Sequence, residues 1–323
     1  MDILVLGCSE IFLRRVLPAL HFCDGISKIH IASKSKSKTD LDFKYHKKIG
    51  NWFDNYSIAI QSLCSQLVYI SLPNHLHFIW AKNSLKAGFH VVVEKPVTLK
   101  FSETKLLIEI SKDKKLCFAE SVVWPFHPNI KILKDKLTQF QNNPIKVNAS
   151  FTVPKFKVEN FRNFKEFGGG AFNDMSAYAV SIGRVLFNEK PYSFSGKLLS
   201  FDESAHIDTG FFVNMSFSND KTLNGVFGFG REYTNNLEIS VENYKFELNR
   251  VFSPPSDLEV NLSTKIDQYL TNQHSKGDVY TNFFNSILET FNSSERLLWT
   301  EIMFEDASLK NQLKLEIIDE NAN

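Results

Sequence analysis

Cysteine is scarce in this 323-residue sequence, and the four cysteines that it has are far apart. They are Cys8, Cys23, Cys64 and Cys117, with no Cys-x-x-Cys pair and no cysteine–histidine cluster. Structural zinc sites and disulfide frameworks both need closely or regularly spaced cysteines. The sequence therefore predicts reduced thiols in the protein core, no disulfide framework and no metal site.

An excess of charge and a long apolar run are missing too. The 37 basic and 36 acidic residues give a net charge of +1, so no overall field favours nucleic acid or an anionic membrane as a partner. The chain begins on the apolar segment Asp2-Ile3-Leu4-Val5-Leu6 rather than on a basic leader, and no stretch is long enough to span a bilayer. We expect a folded cytoplasmic protein, long enough for two domains.

The segment Val91-Val92-Val93-Glu94-Lys95-Pro96 is the most informative part of the chain. Three β-branched residues that run into an acid, a base and a proline predict a buried strand with an abrupt end. An isolated Glu-Lys pair is usually a solvated surface feature. Here the pair ends a βαβ unit. The unit begins with an apolar strand, Leu67 to Leu72, and continues through the turn Pro73-Asn74 and an amphipathic segment, His75 to Ala87. Because ligands bind beyond the carboxyl ends of parallel strands, Lys95 is the first candidate for catalysis.

The amino terminus has the layout of a dinucleotide-binding turn with an incomplete set of glycines. An apolar strand, Ile3 to Leu6, runs into Gly7-Cys8-Ser9 and then a predicted helix. Gly7 matches the first glycine of G-x-G-x-x-G, whereas Ser9 and Phe12 stand at the second and third. A serine still permits fairly close approach to a pyrophosphate. The phenylalanine predicts looser packing of the helix or a shifted helix start.

The next strand, Ile29 to Ala32, ends in Ser33 and Lys34. NAD sites normally place an acid at this strand end to bind the ribose 2′-hydroxyl, whereas a cation with a hydroxyl suits a 2′-phosphate. The sequence therefore predicts NADP(H) in preference to NAD(H). The alternative is that Lys34, Lys36 and Lys38 form only a solvated loop.

The pattern of the sequence changes after residue 120. Six segments between residues 145 and 251 read as strands, and many alternate apolar and polar residues, as antiparallel strands with one solvated face do. The predicted fold class is α/β, with a Rossmann-type domain at residues 1–120. Residues 121–323 are predicted to form an α+β domain with a large, mostly antiparallel open sheet, and to end in two helices.

A glycine run lies within this second half. Gly168-Gly169-Gly170 leads into a predicted helix, so backbone amides would lie close to a ligand at the helix start. Asp174 and Tyr178 are four residues apart and so share one face of that helix. These two side chains are candidates for the substrate half of a site.

Taken together, these motifs resemble the Gfo/Idh/MocA family of nicotinamide-dependent oxidoreductases over most of the chain. The Pro-Asn-x-x-His motif stands at residues 73–77, Ala-Gly-x-His-Val-x-x-Glu-Lys-Pro at residues 87–96, and Gly-Gly-Gly-x-x-x-Asp at residues 168–174. Ser176 replaces a family glycine, and Tyr178 stands where many members have histidine. In having a tyrosine at this position, the chain resembles the branch of the family that includes dihydrodiol dehydrogenases, glucose-fructose oxidoreductase and nucleotide-sugar 3-ketoreductases.

The resemblance implies that Lys95 is catalytic and that Tyr178 donates the proton, with the Lys95 ammonium favouring the phenolate. Asp174 is expected to bind a sugar hydroxyl or to fix Lys95, and a cleft between the domains to unite these residues. The predicted cofactor contacts are Gly7, Cys8, Ser9, Glu10, Ile11, Ser33, Lys34, Leu72, Pro73, Asn74, His77, Glu94 and Lys95. The predicted substrate contacts are Lys95, Trp124, His127, Asp174, Tyr178 and Tyr233.

The leading functional hypothesis is an NADP(H)-dependent reductase of a keto group on a nucleotide-linked sugar, in deoxysugar or surface-polysaccharide synthesis. A dehydrogenase of free sugars, inositols or dihydrodiols is an alternative within enzymes. A non-catalytic NADP-binding regulator is the rival from another class, and the incomplete glycine motif is its best support. Since fold alone does not decide function, these alternatives stay open. A homodimer or homotetramer is expected from the open sheet.

Overall fold

The computed structural model describes residues 1–62 and 65–319. Cys64 lies outside the described residues, whereas the other three cysteines are buried free thiols, namely Cys8, Cys23 and Cys117. The chain divides into two compact units. The first contains Met1–Val122 and Tyr280–Ala307, and the second contains Val123–Val279 and the described part of Ser308–Asn323.

The segment Tyr280–Ala307 differs from the predicted division of the chain, which placed everything after residue 120 in one domain. In the structure it belongs to the first unit. Phe283 and Phe284 are fully buried there, and the ring of Phe284 packs edge-on against that of Tyr69, with centroids 5.6 Å apart. An apolar helix face that covers the first core therefore comes from the carboxyl end of the chain.

The first unit is built on a parallel sheet. In the described residues its strands are β1 (Asp2–Leu6), β2 (Lys28–Ala32), β3 (Ile49–Phe53), β4 (Leu67–Ile70), β5 (His90–Val93) and β6 (Phe118–Glu120). Their order across the sheet is β3-β2-β1-β4-β5-β6, and every pair is parallel. The order reverses between β1 and β4, which is the switch point where doubly wound folds bind ligands. Nearly every residue of β1, β4 and β5 is buried, as expected for strands covered on both faces.

The helix after β1 begins irregularly, where the glycine fingerprint is incomplete. Phe12–Val16 form a π-helical segment that runs into α1 (Leu17–Phe22). Pro18 has no N–H to donate, and the N–H of Leu17 bonds to the carbonyl of Phe12, five residues back. The ring of Phe12 is fully buried. Instead of the looser packing or shifted helix start that Phe12 predicted, the structure has a locally widened helix with a buried Phe12.

Further helices complete the first unit and open the second. They are α2 (Tyr56–Ser62), α3 (His77–Lys86), α4 (Phe101–Asp113), α5 (Pro128–Leu137), α6 (Ala171–Phe187), α7 (Val279–Thr290) and α8 (Arg296–Lys314), which continues as a π-helical segment, Leu315–Asp319. No helix within the described ranges is both long and apolar enough to cross a membrane.

The second unit is built on a larger sheet. In the described residues its strands are β7 (Lys146–Val153), β8 (Ser193–Asp202), β9 (Ile207–Phe217), β10 (Lys221–Phe229), β11 (Thr234–Val241), β12 (Tyr244–Asn249), β13 (Val260–Ile266) and β14 (Tyr269–Ser275). The order is β14-β13-β12-β11-β7-β10-β9-β8, and only β7 and β10 pair in parallel among these strands. The predicted fold class is confirmed.

The sequence interpretation missed β13 and β14. The side chains of β14 are almost all exposed, so an edge strand of this kind shows no apolar alternation. Along β13, Val260, Leu262 and Thr264 are buried in alternation, and this signal was available.

One face of the second sheet is covered by α6. Phe172 packs against Phe211 with ring centroids 5.1 Å apart, and Phe187 packs against Phe217 at 5.2 Å. Polar side chains dominate the opposite face, where a hydrogen bond of 2.8 Å joins Asn214 to Asn224. The helix α6 is thus fixed on the sheet by aromatic packing.

Candidate functional site

Two loops meet at the switch point of the parallel sheet, one after β1 and one after β4. The hydroxyl oxygens of Ser9 and Ser71 lie 2.6 Å apart, and the N–H of Gly7 bonds to the carbonyl of Ala32 at 2.9 Å. Gly7 has a φ of +94°, and a Cβ at this position would lie 2.3 Å from the carbonyl oxygen of Ser71. Both the backbone conformation and the close approach of the two loops therefore require glycine here.

The residues that follow Gly7 in the first loop are Cys8, Ser9, Glu10 and Ile11. Ser9 also accepts a hydrogen bond from the N–H of Phe12 at 3.2 Å, so its hydroxyl caps the helix start. Cys8 is buried, and burial raises the pKa of its thiol to about 11. Glu10 and Ile11 are exposed in the first helical turn. The side chains of Cys8 and Ser9 thus face the protein, and those of Glu10 and Ile11 face solvent.

The end of β2 carries positive charge. Ser33 is buried, and its hydroxyl accepts a hydrogen bond from the N–H of Lys36 at 3.1 Å, which closes the turn after the strand. Lys34 is exposed, with Nζ 5.4 Å from the centre of the Tyr56 ring. Lys36 is near enough to Cys8 for its charge to act on that thiol. Two lysines, Lys34 and Lys36, therefore stand at this strand end.

His77 ties the loop after β4 to the loop after β5. Its ring is fully buried, with Nε2 2.7 Å from the carbonyl oxygen of Leu72 and Nδ1 2.7 Å from that of Pro96. The predicted direct contact of His77 with the cofactor does not fit this enclosed position, and the ring instead holds the two loops together. Leu72 and Pro73 are partly exposed at the turn, and Asn74 is buried at the start of the next one.

Lys95 follows β5 directly and is half-buried. The residue before it, Glu94, is 8% exposed and accepts a hydrogen bond from the hydroxyl of Tyr69 on the neighbouring strand β4. Burial raises the pKa of Glu94, and the Tyr69 hydrogen bond and the charge of Lys95 oppose this rise. The Glu94 carboxylate thus points into the protein, where it bonds to Tyr69.

Further contacts fix the turn that carries Lys95. The peptide bond between Lys95 and Pro96 is cis. The carboxylate of Glu120, at the end of β6, accepts a hydrogen bond from the N–H of Val97 at 2.6 Å. Tyr69 and Glu120 were not predicted as site residues, and a tyrosine within an otherwise aliphatic strand was the available signal for the first. Lys95 therefore projects from a turn that β4 and β6 hold on both sides.

Asp208 on β9 caps the amino-terminal end of α6. Its Oδ2 accepts a hydrogen bond from the N–H of Phe172 at 2.5 Å, and burial raises its pKa to about 6. A Cβ on Gly170 would lie 2.4 Å from Oδ1 of Asp208, and one on Gly169 would lie 2.4 Å from the carbonyl oxygen of Arg162. The lack of a side chain at Gly169 and Gly170 thus makes room for the Arg162 backbone and for Asp208. The expectation that a ligand lies close to this helix start stays a prediction.

Asp174 lies in the first turn of α6 and is paired with Arg162. The Nε atom of Arg162 is 3.1 Å from Oδ2 of Asp174, and the two side chains are 25% and 9% exposed. The Arg162 guanidinium also lies over the rings of Phe156 and Phe161, at 5.2 and 4.6 Å from their centroids. The sequence offered a sugar hydroxyl or Lys95 as partners for Asp174, and Arg162 was not foreseen.

Tyr178 lies one turn further along α6 and is half-buried. Its ring packs against Phe151 of β7 at 5.2 Å and against Phe252, beyond β12, at 5.4 Å between centroids. These two rings restrict the orientation of the phenol. Asp174 and Tyr178 share one helix face, as their spacing requires.

The other predicted substrate contacts divide into buried and exposed residues. Trp124 is fully buried and donates its Nε1–H to the hydroxyl of Ser181 at 2.9 Å. His127 is 3% exposed, its Nδ1 accepts from the N–H of Asn129 at the start of α5, and burial lowers its pKa. Tyr233 is 49% exposed. Trp124 and His127 therefore belong to the core of the second unit, and Tyr233 has surface for a ligand.

A cavity of about 990 Å³ lies within the second unit. Aromatic rings, among them Phe156 and Phe229, line it together with charges of both signs, such as Lys155, Arg231 and Glu203. Its volume is that of a small-molecule site. Phe156 of the cavity wall also contacts the guanidinium of Arg162, the ion-pair partner of Asp174.

Two family models match this chain. The model of the Gfo/Idh/MocA oxidoreductase family, with an NAD-binding Rossmann fold, matches residues 1–121. The model of the Gfo/Idh/MocA C-terminal domain matches residues 143–247.

Similar proteins include reductases and dehydrogenases of sugars. A dTDP-3,4-didehydro-2,6-dideoxy-α-D-glucose 3-reductase from Actinomadura kijaniata is 26% identical over 317 residues, which is 96% of this chain and 93% of the relative. A D-xylose 1-dehydrogenase (NADP(+)) from Haloferax volcanii is 23% identical over 265 residues, 81% of this chain and 76% of the relative.

Solved structures share the fold. A 3-ketoreductase from Actinomadura kijaniata, in complex with NADP and TDP-benzene, matches with a TM-score of 0.88 and 24% identity over 98% of each chain. An aldose-aldose oxidoreductase from Caulobacter crescentus matches with a TM-score of 0.82 and 15% identity over 99% of this chain and 98% of the other. With both domains matched by family models and the doubly wound sheet in place, this chain belongs to the Gfo/Idh/MocA family of oxidoreductases.

Proposed function

We propose that this oxidoreductase transfers a hydride between NADP(H) and the keto or hydroxyl carbon of a nucleotide-linked sugar. The observation that carries the proposal is that the chain holds Lys95 on a fixed turn and also presents Asp174 and Tyr178 on one helix face. Support for the substrate class comes from the dTDP-keto-sugar 3-reductase and from the 3-ketoreductase solved with TDP-benzene.

Two features of the first unit support a dinucleotide cofactor with a 2′-phosphate. The main chain at Cys8 and Ser9 leads into a helix start, where N–H groups suit a pyrophosphate. Lys34 and Lys36 supply positive charge at the end of β2, where NAD sites normally have an acid. The bound cofactor supplies the hydride, and the protein supplies binding, orientation and proton transfer.

Reduction of a keto group also requires a proton at the carbonyl oxygen. We assign this proton to the phenol of Tyr178, whose orientation is restricted by Phe151 and Phe252. A phenol has an ordinary pKa of about 10, and an ammonium such as that of Lys95 favours its ionised form. We assign to Lys95 the tuning of this donor, and to Asp174 the binding of a substrate hydroxyl.

The size of the cavity in the second unit favours a nucleotide-linked sugar over a free one, because it has room for a group larger than one sugar ring. Such a substrate would place the enzyme in deoxysugar or surface-polysaccharide synthesis. We also propose a homodimer or homotetramer, formed through the polar face of the second sheet that α6 leaves uncovered. Light scattering on the purified protein measures that state.

A dehydrogenase of free sugars is the second candidate. The relative from Haloferax volcanii, a D-xylose 1-dehydrogenase that uses NADP(+), favours it. In that case the cavity would not contribute to substrate affinity.

The test is steady-state oxidation of NADPH with a dTDP-linked keto-sugar and with the same sugar lacking the nucleotide. We expect kcat/KM to be higher for the nucleotide-linked sugar by at least about 10²-fold. Mass spectrometry of nucleotides released from the denatured protein identifies the cofactor and any co-purifying nucleotide-sugar. Equal kcat/KM values would support the second candidate. NADPH binding without oxidation by any sugar would support a non-catalytic NADP-binding regulator.

A further inference from the structure

We infer that Arg162 is a positioning residue that orients the carboxylate of Asp174 toward the substrate. This role rests on the proposed function, because it concerns the substrate half of the proposed site. Arg162 lies in the loop between β7 and α6, twelve positions before Asp174 (174 − 162).

The contact between the two side chains fixes the carboxylate. The Nε of Arg162 lies 3.1 Å from Oδ2 of Asp174, and the Asp174 side chain is only 9% exposed. An ion pair in such an enclosed place is screened less by water and salt than one on the surface. One oxygen of Asp174 is thereby committed to Arg162, which restricts rotation of the carboxylate.

The guanidinium is itself held in place. The rings of Phe156 and Phe161 lie 5.2 and 4.6 Å from it, so that stacking restricts its plane. Lysine has no planar group and cannot reproduce this stacking fully. Arg162 therefore reaches Asp174 from a defined direction.

The backbone of Arg162 is fixed as well. Its N–H bonds to the side-chain oxygen of Asn160 at 3.1 Å, and its carbonyl accepts from the N–H of Gly170 at 3.0 Å. A Cβ on Gly169 would lie 2.4 Å from the same carbonyl oxygen. The glycines before α6 thus allow the loop to seat Arg162 against the helix.

The position of the Asp174 carboxylate matters because Tyr178 lies on the next turn of the same face. Four residues of α-helix rise by about 6 Å, so a substrate hydroxyl bound at Asp174 sets the location of the reacting carbon relative to the phenol. A misplacement of about 1 Å can reduce turnover by about 10²-fold.

A buried ion pair can also be purely structural, and the chain offers a matched control. Lys221 pairs with Glu189 at 2.5 Å, with side chains 5% and 25% exposed. The Lys221 ammonium lies over the Phe187 ring at 5.5 Å. Like the Arg162–Asp174 pair, this pair joins a cation that lies over an aromatic ring to a carboxylate. It lies at the opposite end of α6.

The experiment measures kcat, KM and NADPH affinity for Arg162→Met, Arg162→Lys, Asp174→Asn, the double variant Arg162→Met with Asp174→Asn, and Lys221→Met. We expect Arg162→Met to lower kcat by about 10²-fold with NADPH affinity unchanged, and Arg162→Lys to recover part of that loss, because it restores the charge but not the stacking. In the Asp174→Asn background, Arg162→Met should lower kcat by less than about 3-fold, because its target is already gone. Lys221→Met should lower thermal stability but not kcat.

Several outcomes would overturn this role. One is an unchanged kcat in Arg162→Met. Another is a double variant whose loss of kcat is the full product of the two single losses. A third is a loss of kcat in Lys221→Met as large as that in Arg162→Met. If Arg162→Met does not fold, Arg162→Lys and the double variant, which contains no unpaired buried carboxylate, still give the comparison. A wild type that reduces only free sugars contradicts the proposed function, and the same variants are then compared on that sugar. If the wild type turns over no sugar, both the proposed function and the role of Arg162 are overturned.

Discussion

The hydroxyl of Tyr69 donates a hydrogen bond to the carboxylate of Glu94, the residue immediately before Lys95. Both residues are buried, Tyr69 on β4 and Glu94 at the end of β5. Burial raises the pKa of Glu94, and the bond from Tyr69 opposes that rise. A proton equilibrium inside the first unit is thus coupled to the turn that carries Lys95.

Replacing Tyr69 with Phe should therefore destabilise the protein in a pH-dependent way. The loss leaves a buried acceptor without its donor and should cost about 1–3 kcal/mol. A raised folded-state pKa means that the contribution of Glu94 to stability is present below its unfolded-state pKa and is lost as pH rises through the folded value. The bond from Tyr69 favours the ionised carboxylate, which is the form present at higher pH. The variant should therefore lose more free energy of unfolding at about pH 8 than at about pH 5. Denaturant unfolding at both pH values measures it.

The control for that experiment is Tyr56→Phe. Tyr56 is also buried in the first unit, and its ring packs on that of Trp80. Its effect on the free energy of unfolding should be the same at both pH values. A Tyr69→Phe deficit that is likewise independent of pH would contradict the coupling to Glu94.

Lys95 and Tyr178 should behave as one proton-handling unit in kinetics. Lys95→Ala and Tyr178→Phe should each lower turnover by about 10²-fold or more, with NADPH binding largely intact. The double variant should lose little beyond either single one, because both act on one step. Single-turnover oxidation of NADPH measures all three, with Lys100→Ala and Tyr192→Phe, at two exposed residues, as controls.

The outcomes of this cycle separate the hypotheses. Full activity in Tyr178→Phe would remove the phenol from the mechanism and leave Lys95, or a water held by Asp174, as the donor. Full activity in both single variants would remove the catalytic assignment and favour the NADP-binding regulator.

The end of β2 should select NADPH. Lys34→Asp should weaken NADPH binding by about 1–3 kcal/mol, because it removes a charge-assisted contact and adds repulsion. Lys38→Asp, at an exposed lysine in the same loop, is the control and should have a smaller effect. Fluorescence titration with NADPH and NADH measures both affinities, and equal affinity of the wild type for the two cofactors would refute the preference.

Gly170→Ala should damage folding rather than ligand binding. Its φ is +101°, and the new Cβ would lie 2.4 Å from Oδ1 of Asp208. Gly88 is a matched control, because its φ is +94° and a Cβ added there would have no neighbouring atom within 4 Å. Gly88→Ala should lose about 1–2 kcal/mol from backbone strain, and Gly170→Ala about 1–3 kcal/mol more from the clash. Equal losses in denaturant unfolding would show that Asp208 moves aside.

Asp208→Asn should stabilise the protein above neutral pH. The amide oxygen can still accept the hydrogen bond from Phe172, and the buried charge is removed. Because burial raises the pKa of Asp208 to about 6, its contribution to stability is present at low pH and is lost as pH rises through about 6. The variant should therefore exceed the wild type by up to about 3 kcal/mol at about pH 8, and the gap should close at about pH 4. Thermal unfolding across that pH range checks the sign.

Much of the fold was determined by local sequence. Runs of apolar residues predicted β1, β4 and β5. Their carboxyl ends were marked by Gly7, by Pro73 and by the Glu94-Lys95-Pro96 segment. Since parallel strands end at one sheet edge, candidate cofactor residues followed directly from this pattern. The spacing of Asp174 and Tyr178 likewise fixed their common helix face.

The partners of these residues were decided by tertiary structure alone. Tyr69 reaches Glu94 from the neighbouring strand, Asp208 meets Gly170 from β9, and Arg162 returns from a loop to Asp174. Such pairs join positions 12 to 38 residues apart (174 − 162 and 208 − 170), beyond the range of helical or strand periodicity. Whether a side chain faces a ligand or the protein depends on what packs across from it. That is why His77, Trp124 and His127 have ligand-like sequence contexts but are buried within the protein, and why α7 completes the first core from the far end of the chain.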